Sequence, residues 1–195
     1  QLTKWFDTNY HYLVPELEPG QAFEPRADHW TGPLAEAAEL GIAVRPVVLG
    51  PLSFLLLSKG LDRPLELLDA LVPVYAALLG ELGAAGAREV QIDEPCLALD
   101  RTPAELDAFA AAWHELAAAS DGELCLATYF AGLDSEILER VAGLAPAELH
   151  LDLVRAPGQL APALVAFADS PTRLSLGVID GRNVWAADPD LALDR

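Results

Sequence analysis

The sequence predicts an α/β fold, an incomplete (β/α)8 barrel of the TIM-barrel type, in a single domain that spans residues 1–195. Short β-rich segments alternate with longer Ala- and Leu-rich segments, which is typical of parallel strands joined by right-handed helical crossovers. Several short segments, such as Val47–Leu49 and Leu174–Val178, are nearly continuous apolar runs, as expected of strands buried on both faces. No GxGxxG and no GxxxxGK motif follows any of them, which argues against the nucleotide-binding doubly wound folds.

Six strands are predicted in chain order: Lys4–Asn9, Ala43–Leu49, Glu89–Asp93, Leu124–Tyr129, Leu149–Val154 and Leu174–Ile179. A closed barrel of this type needs eight strands, so about six βα units are present. The chain begins at Gln1 and contains no Met, and we therefore expect the first two units of the barrel to be missing from it. No Gly- or Ser-rich linker divides the chain, in agreement with one domain.

Helical patterns lie between the predicted strands: Pro33–Leu40, Pro64–Leu82, Pro103–Ala119, Ser135–Val141 and Gln159–Phe167. Three of these segments open with Pro, which is favoured in the first turn of a helix. Thr102 precedes Pro103 and is followed three residues later by Glu105, a pattern that predicts a capped helix N-terminus.

The overall charge limits the class of ligand. The formal net charge is −18, from 30 acidic and 12 basic residues. A field of this sign repels phosphate backbones, so we expect no nucleic-acid partner. An anionic ligand would have to be held by a local group of Lys or Arg side chains.

The composition also bears on compartment and cofactors. No apolar run reaches the roughly 20 residues of a membrane span and no basic-then-apolar leader is visible, so a cytoplasmic protein without a membrane partner is expected. Cys96 and Cys125 lie outside any CxxC motif and are expected to be reduced thiols. These two Cys and the four His show no zinc-ligand spacing, so we predict no metal and no cofactor in this chain.

Polar groups follow the predicted strands where barrel enzymes place their sites. These strand ends are Gly50-Pro51, Asp93-Glu94-Pro95, Thr128-Tyr129-Phe130, Asp152-Leu153-Val154-Arg155 and Asp180-Gly181-Arg182-Asn183. Two interpretations remain open. The polar groups form a ligand-binding rim, or the Asp residues pair with Arg155 and Arg182 as structural ion pairs.

The carboxylates at these strand ends also allow two kinds of site, a glycosidase site and a metal site. Asp93 and Glu94 are adjacent, so in a strand they point to opposite faces and do not line one pocket together. Asp93 paired with Asp152 or Asp180 would suit a glycosidase. His150 and Asp152 share a face and could bind a metal with Asp93, although a hydrogen-bonded core pair is the commoner role of such residues.

The opening segment Lys4–Tyr12 is rich in both aromatic and polar residues. Its pattern does not alternate cleanly, which indicates a strand that runs out into a binding surface. For Trp5 and Phe6, aromatic packing under a loop is the simpler interpretation.

Taken together, these motifs resemble the amino-terminal barrel of the cobalamin-independent methionine synthase family. The matching segments are Lys4-Trp5-Phe6-Asp7-Thr8-Asn9-Tyr10-His11-Tyr12 with Val14-Pro15-Glu16, Arg45-Pro46-Val47-Val48-Leu49-Gly50-Pro51, Val90-Gln91-Ile92-Asp93-Glu94-Pro95, Thr128-Tyr129-Phe130, His150-Leu151-Asp152-Leu153-Val154 and Gly177-Val178-Ile179-Asp180-Gly181-Arg182-Asn183-Val184-Trp185. They occur in family order over nearly the whole chain.

The resemblance implies a function for the longer enzyme, methyl transfer from 5-methyltetrahydropteroyl-polyglutamate to homocysteine, which gives methionine. It implies that zinc and the catalytic groups belong to a carboxy-terminal barrel, the expected partner of this chain. The amino-terminal barrel is then a scaffold that helps to bind the anionic polyglutamate tail, with Lys4 and Asn9 as candidate substrate-binding residues and no catalytic residue. The alternative is a free-standing, non-catalytic βα barrel that binds a ligand or a protein.

Overall fold

The computed structural model describes residues 1–193 and has a mixed α/β architecture. The strands are β1 Leu2–Lys4, β2 His11–Leu13, β3 Val47–Leu49, β4 Glu89–Asp93, β5 Glu123–Ala127, β6 Glu148–Asp152 and β7 Arg173–Gly177. The α-helices are α1 Asp28–Glu39, α2 Pro51–Leu56, α3 Leu68–Ala84, α4 Pro103–Ala119, α5 Ser135–Leu144, α6 Leu160–Ala166 and α7 Pro189–Leu193. Short 3-10 helices occupy Pro64–Leu67, Pro95–Ala98 and Pro157–Gln159.

Strands β3 to β7 form one parallel sheet whose spatial order is the order of the chain. Sequential order with crossovers of one hand places all the connecting helices on one face of the sheet. The helices agree with this, because α3 contacts α4, α4 contacts α5 and α5 contacts α6. The sheet is therefore wound in a single direction, as in part of an α/β barrel, and the predicted α/β class is confirmed.

The first predicted strand, Lys4–Asn9, is wrong. Strands β1 and β2 form a separate antiparallel hairpin, in which Leu2 lies opposite Leu13 and Lys4 opposite His11. Residues 5–10 are the turn of this hairpin. The buried Thr8 explains the turn, because its hydroxyl donates to the Trp5 carbonyl at 2.6 Å and accepts the Tyr10 N–H at 3.1 Å.

The two faces of the sheet differ in a way that the apolar runs did not indicate. On β4, Val90 and Ile92 are buried against the helices, whereas Glu89, Gln91 and Asp93 on the other face are half-buried. The same alternation recurs along β6. Burial on both faces was therefore a wrong expectation for Val47–Leu49 and Leu174–Val178, since Val47 and Leu176 are each more than two-fifths exposed. Strand β5 is the exception, because its residues from Leu124 to Ala127 are buried on both faces. The helix-facing side of β4 and β6 is apolar, and their other side is polar.

The helical layer differs from the prediction mainly in its boundaries. Helix α1 begins at Asp28 and contains Pro33 in its interior, so this Pro does not mark its start. Helix α2 was not predicted, because six residues after Gly50 are too few to show a helical period. Helix α4 has the predicted capping box between Thr102 and Glu105.

One helical stretch, Pro64–Ala84, is 21 residues long and apolar enough to cross a membrane by length and composition alone. It does not stand out as an unbroken apolar run in the sequence, because Asp69 and Glu81 interrupt it. Its apolar side chains, including Leu71, Leu79 and Leu82, lie in the core between the sheet and the neighbouring helices. The packing thus accounts for this hydrophobicity as that of a core helix.

Candidate functional site

The hairpin turn, residues 5–10, lies against the carboxyl ends of β5, β6 and β7. The Phe6 ring contacts the Phe130 ring, which follows β5, with 5.2 Å between the ring centroids. Asp7 pairs with Arg155, which follows β6, and with Arg182, which follows β7. Segments that are far apart in the sequence therefore meet at one edge of the sheet.

Aromatic packing holds the turn in place, as predicted for Trp5 and Phe6. Trp5 makes edge-to-face contacts with both Phe6 and Tyr12, and Phe130 makes one with Tyr129. The Tyr12 hydroxyl donates to the Leu57 carbonyl at 2.9 Å. A continuous row of rings thus connects the hairpin to the end of β5.

A cleft of about 350 Å³ opens at the same edge of the sheet. This volume is at the lower end of the range of small-molecule sites. The cleft is lined by Tyr129, Phe130, His150, Asp152, Val154, Arg155 and residues 176–182. The strand ends that begin at Thr128, Asp152 and Asp180 therefore contribute to one cleft, as the rim interpretation requires.

The ion pairs in the cleft differ from those expected. Arg155 Nη2 donates to Asp7 Oδ2, and Arg182 Nη1 donates to Asp7 Oδ1 at 3.2 Å. The two guanidinium groups, Arg155 more strongly than Arg182, hold the pKa of Asp7 below its ordinary value. The arginines therefore pair with Asp7 in the turn, and the strand-end Asp residues were the wrong partners.

Asp152 instead accepts hydrogen bonds from the backbone. Its Oδ2 accepts the Phe130 N–H at 3.0 Å, and its Oδ1 accepts the N–H groups of Val154 at 3.1 Å and Arg155 at 2.9 Å. Phe130 is held with a φ of 75°, which a bulky residue rarely adopts. Asp152 therefore positions the loops after β5 and β6.

The polar face of the sheet continues below the cleft. Asp93 accepts hydrogen bonds from Gln91 Nε2 at 2.7 Å and from the Tyr129 hydroxyl at 2.9 Å. Burial raises the pKa of Asp93 above its ordinary value. His150 Nδ1 lies 2.9 Å from Ser175 Oγ, and burial lowers the pKa of His150. His150 therefore pairs with Ser175, and a direct pair with Asp152 was the wrong expectation.

Within residues 1–193, no group of three or more His, Cys, Asp or Glu side chains is placed to hold a metal ion. His150, Asp152 and Asp93 thus do not form the metal site that their sequence positions allowed. A glycosidase site from Asp93 and Asp152 also gains no support, since Gln91, Tyr129 and backbone amides already engage both carboxyl groups.

Glu94 lies on the opposite face from Asp93, as predicted. It is completely buried, and its carboxylate accepts the N–H groups of Leu52 at 3.0 Å and Ser53 at 2.7 Å in the first turn of α2. Gly50 makes room for it, because a Cβ there would overlap the carboxylate. Burial raises the pKa of Glu94 to about 7. Its role is to hold α2 against the sheet.

Lys4, which directly precedes the hairpin turn, and Asn9, which lies in it, are both exposed. Neither side chain forms a hydrogen bond or an ion pair with another residue of the described chain. The cation and the amide are therefore available to a ligand. Sequence reasoning missed Asp7, whose partners lie 148 and 175 residues away. No local pattern could have indicated that convergence.

The fold and the site define a singly wound parallel α/β structure with a cleft of arginine, aspartate and aromatic side chains at the carboxyl ends of its strands. Residues 1–195 match the family described as "Cobalamin-independent synthase, N-terminal domain". The chain belongs to this family, and the resemblance inferred from its motifs is confirmed.

Individual relatives agree with the family. The chain is 54% identical over 197 residues to a protein of Chelativorans sp. (strain BNC1), 52% over 199 residues to one of Caulobacter vibrioides and 47% over 197 residues to one of Haemophilus influenzae. Each relative is named 5-methyltetrahydropteroyltriglutamate–homocysteine methyltransferase. The alignments cover 100% of this chain and 25% of each relative. The chain therefore spans about a quarter of the length of the curated relatives that it matches.

Proposed function

We propose that this chain is the amino-terminal part of an enzyme that transfers a methyl group from 5-methyltetrahydropteroyl-triglutamate to homocysteine and so produces methionine. The names of its relatives and its identity to them along its whole length support this activity. In this enzyme the chain contributes a scaffold and binds the polyglutamate tail of the folate. It does not contribute catalytic residues.

We further propose that residues 1–195 form one domain, a part of a (β/α)8 barrel. Two observations favour a barrel over a doubly wound sheet. The strand order is sequential with the helices on one face. The other face carries Glu89, Gln91, Asp93, Glu148 and His150, and a face with these polar side chains does not suit burial under a second helical layer.

Lys4 is the residue that carries the proposal for folate binding. It is exposed, it pairs with no acid among residues 1–193, and it ends the strand that leads into the anchored turn. A Lys ammonium group forms charge-assisted hydrogen bonds with carboxylates, which a polyglutamate tail supplies. Asn9, exposed in the same turn, adds an amide that can donate to the tail or accept from it.

The remaining partners follow from the same family. Zinc chemistry, which activates the homocysteine thiol, does not fit the described residues, and we place it in a carboxy-terminal catalytic barrel that this chain contacts. We propose a cytoplasmic location, without nucleic-acid or membrane partners, on the basis of the −18 net charge and the core packing of helix α3.

Replacing Lys4 by Ala in the full-length enzyme tests the role in folate binding. A charge-assisted hydrogen bond is worth about 1.5–3 kcal/mol, which is on the order of a ten- to hundredfold change in affinity. Because Lys4 is exposed and salt screens its charge, the expected change in affinity lies near the lower end of this range. KM for the triglutamate folate should therefore rise about tenfold, KM for the monoglutamate form should rise less, and kcat should change little.

Lys59→Ala is the matched control, because it removes the same charge from an exposed side chain whose hydrogen-bond partner is Gln1. It should leave both KM values unchanged. An equal loss on both folates in Lys4→Ala would place Lys4 at the pterin or in folding. No loss on either would remove Lys4 from the binding site.

A further inference from the structure

We infer that Arg155 and Arg182, oriented by Asp7, form a second carboxylate-binding position in the cleft, which takes another carboxylate of the same glutamate tail. This inference rests on the proposed function, since that function supplies the ligand. It assigns a binding role to two residues beyond Lys4 and Asn9, and a positioning role to Asp7.

The two arginines already bind one carboxylate in the structure, that of Asp7. Arg155 Nη2 and Arg182 Nη1 converge on Asp7, and Arg182 Nη2 donates to the Asp7 backbone carbonyl at 3.4 Å. A guanidinium group has five N–H donors in a rigid fork that matches carboxylate geometry. Arg155 Nε and Nη1 and Arg182 Nε have no hydrogen-bond partner within residues 1–193. Donors therefore remain for a ligand while Asp7 holds both groups in place.

Both arginines are accessible from the cleft. The side chains of Arg155 and Arg182 are 36% and 43% exposed, and both line the cleft with Phe130. Asp7 in turn 5–10 pairs with both arginines, and Lys4 directly precedes this turn. The positions of the guanidinium groups and of Lys4 therefore depend on the same hairpin.

The two acids that line the cleft, Asp152 and Asp180, do not form ion pairs with Arg155 or Arg182. Asp152 directs both of its oxygens to backbone N–H groups, and Asp180 Oδ1 accepts the backbone N–H of Arg182 at 3.1 Å. Backbone amides stabilise these carboxylates, so they do not need the guanidinium groups as partners. Among residues 1–193, Asp7 is the one acid that forms ion pairs with Arg155 and Arg182, so the two guanidinium groups share a single ion-pair partner.

The dimensions suit a glutamate tail. Lys4 and Asp7 are three residues apart, so their Cα atoms lie within about 11 Å of each other, a span that two or three linked glutamyl units can cover. Leu176, Val178 and Ile179 give the cleft an apolar wall on which the methylene groups of such units can pack. One carboxylate would then contact Lys4 and another the arginine pair.

The test uses the full-length enzyme with mono- and triglutamate folates. Arg155→Gln and Arg182→Gln should each raise KM for the triglutamate form about tenfold and leave KM for the monoglutamate form and kcat nearly unchanged. Combination with Lys4→Ala should multiply the losses, because separate carboxylates are held. Arg63→Gln, at an exposed Arg that pairs with Glu66, is the control and should have no effect.

Asp7→Asn tests the positioning role separately, since it keeps the side-chain size and removes the charge that orients the guanidinium groups. It should raise the triglutamate KM selectively, by less than either arginine variant. Thermal unfolding of every variant distinguishes binding from folding. Equal losses on both folates together with a lower thermal midpoint would make the ion pairs purely structural and overturn the inference.

Two further outcomes separate this inference from the proposed function. If Lys4→Ala shows the selective loss and the arginine variants do not, the arginine site is wrong and the folate-binding role of the chain remains. If none of the variants distinguishes the two tail lengths, both proposals fail.

Discussion

At the amino ends of the parallel strands, Arg45 donates to Glu89 at 2.9 Å and to Glu148 at 2.7 Å, and Arg173 donates to Glu123 at 2.7 Å. At the carboxyl ends, the carboxylates of Glu94 and Asp152 accept backbone N–H groups instead. Acids on the strands are thus paired with arginines at the amino ends. At the carboxyl ends, Glu94 and Asp152 bind the main chain, and the arginines pair with Asp7 of the hairpin turn.

The direction of the chain explains this difference. A parallel strand leads at its carboxyl end into a loop and a helix N-terminus, where N–H groups lack intrahelical partners and can bind a carboxylate. At the amino end the chain arrives from a helix C-terminus, which offers carbonyl groups. Carboxylates at that end pair with arginines, whereas at the carboxyl end Arg155 and Arg182 pair with Asp7 of the hairpin turn and not with the strand-end acids. The amino end therefore serves stability and the carboxyl end can serve binding.

Among the substitutions that test this difference between the two ends, Gly50→Ala should lower the free energy of unfolding most. The new Cβ would overlap the Glu94 carboxylate and push it away from the amides of Leu52 and Ser53. Loss of these buried hydrogen bonds should lower the free energy of unfolding by about 2–4 kcal/mol, as measured by urea denaturation.

Gly80→Ala is the matched control. Gly80 lies inside α3, and a Cβ added there would meet no neighbouring atom within 4 Å. Ala at this position should therefore be neutral or stabilise by roughly 0.5–1 kcal/mol. Equal, small effects of the two substitutions would show that backbone capping by Glu94 contributes little.

The pH dependence of stability should reveal the titration of the completely buried Glu94. Burial raises the pKa of Glu94 from 4.5 to about 7 in the folded chain. The folded state then binds a proton that the unfolded state has lost, so the stabilising contribution is complete below about pH 4.5 and disappears as pH rises through 7. The loss should be about 1–3 kcal/mol across this range.

Glu94→Gln has no titrating carboxyl group at this position, so its stability should decline less than that of the wild type between about pH 5 and pH 8. Urea denaturation of both proteins at several pH values measures the difference. Parallel curves for the two proteins would contradict the raised pKa of Glu94.

A smaller effect is expected at the amino end from Glu148→Gln. Glu148 accepts hydrogen bonds from Arg45 and, at 3.3 Å, from the Cys125 thiol, and its side chain is only 16% exposed. Removing its charge leaves Arg45 with Glu89 alone and should cost about 1–2 kcal/mol of unfolding free energy. The ratio of KM values for the two folates in the full-length enzyme should not change.

Glu123→Gln provides the comparison for that substitution, since Glu123 is about half exposed and pairs with Arg173. Its loss should have little effect on stability, because solvent already screens the pair. A change in the KM ratio after Glu148→Gln would show that the two ends of the sheet are not functionally separate.

Elements with a strong local pattern could be predicted. The five parallel strands and α4 with its capping box were found from the sequence because apolar runs and helix-capping residues act within a few positions. The first strand was wrong because Thr8 builds a turn through its own hydroxyl, and this side-chain hydrogen bonding overrides the β propensity of the neighbouring aromatic residues.

The sequence by itself determined the α/β class and the family, and through the family the candidate residue Lys4, since each depends on local patterns and on short motifs read in chain order. Only the tertiary structure decided which face of the sheet is polar, and which charges are paired. Asp7 reaches Arg155 and Arg182 across 148 and 175 residues, because the parallel strands bring their carboxyl ends to one edge and the hairpin packs there. Such contacts depend on the folded arrangement of whole elements, which no local pattern specifies.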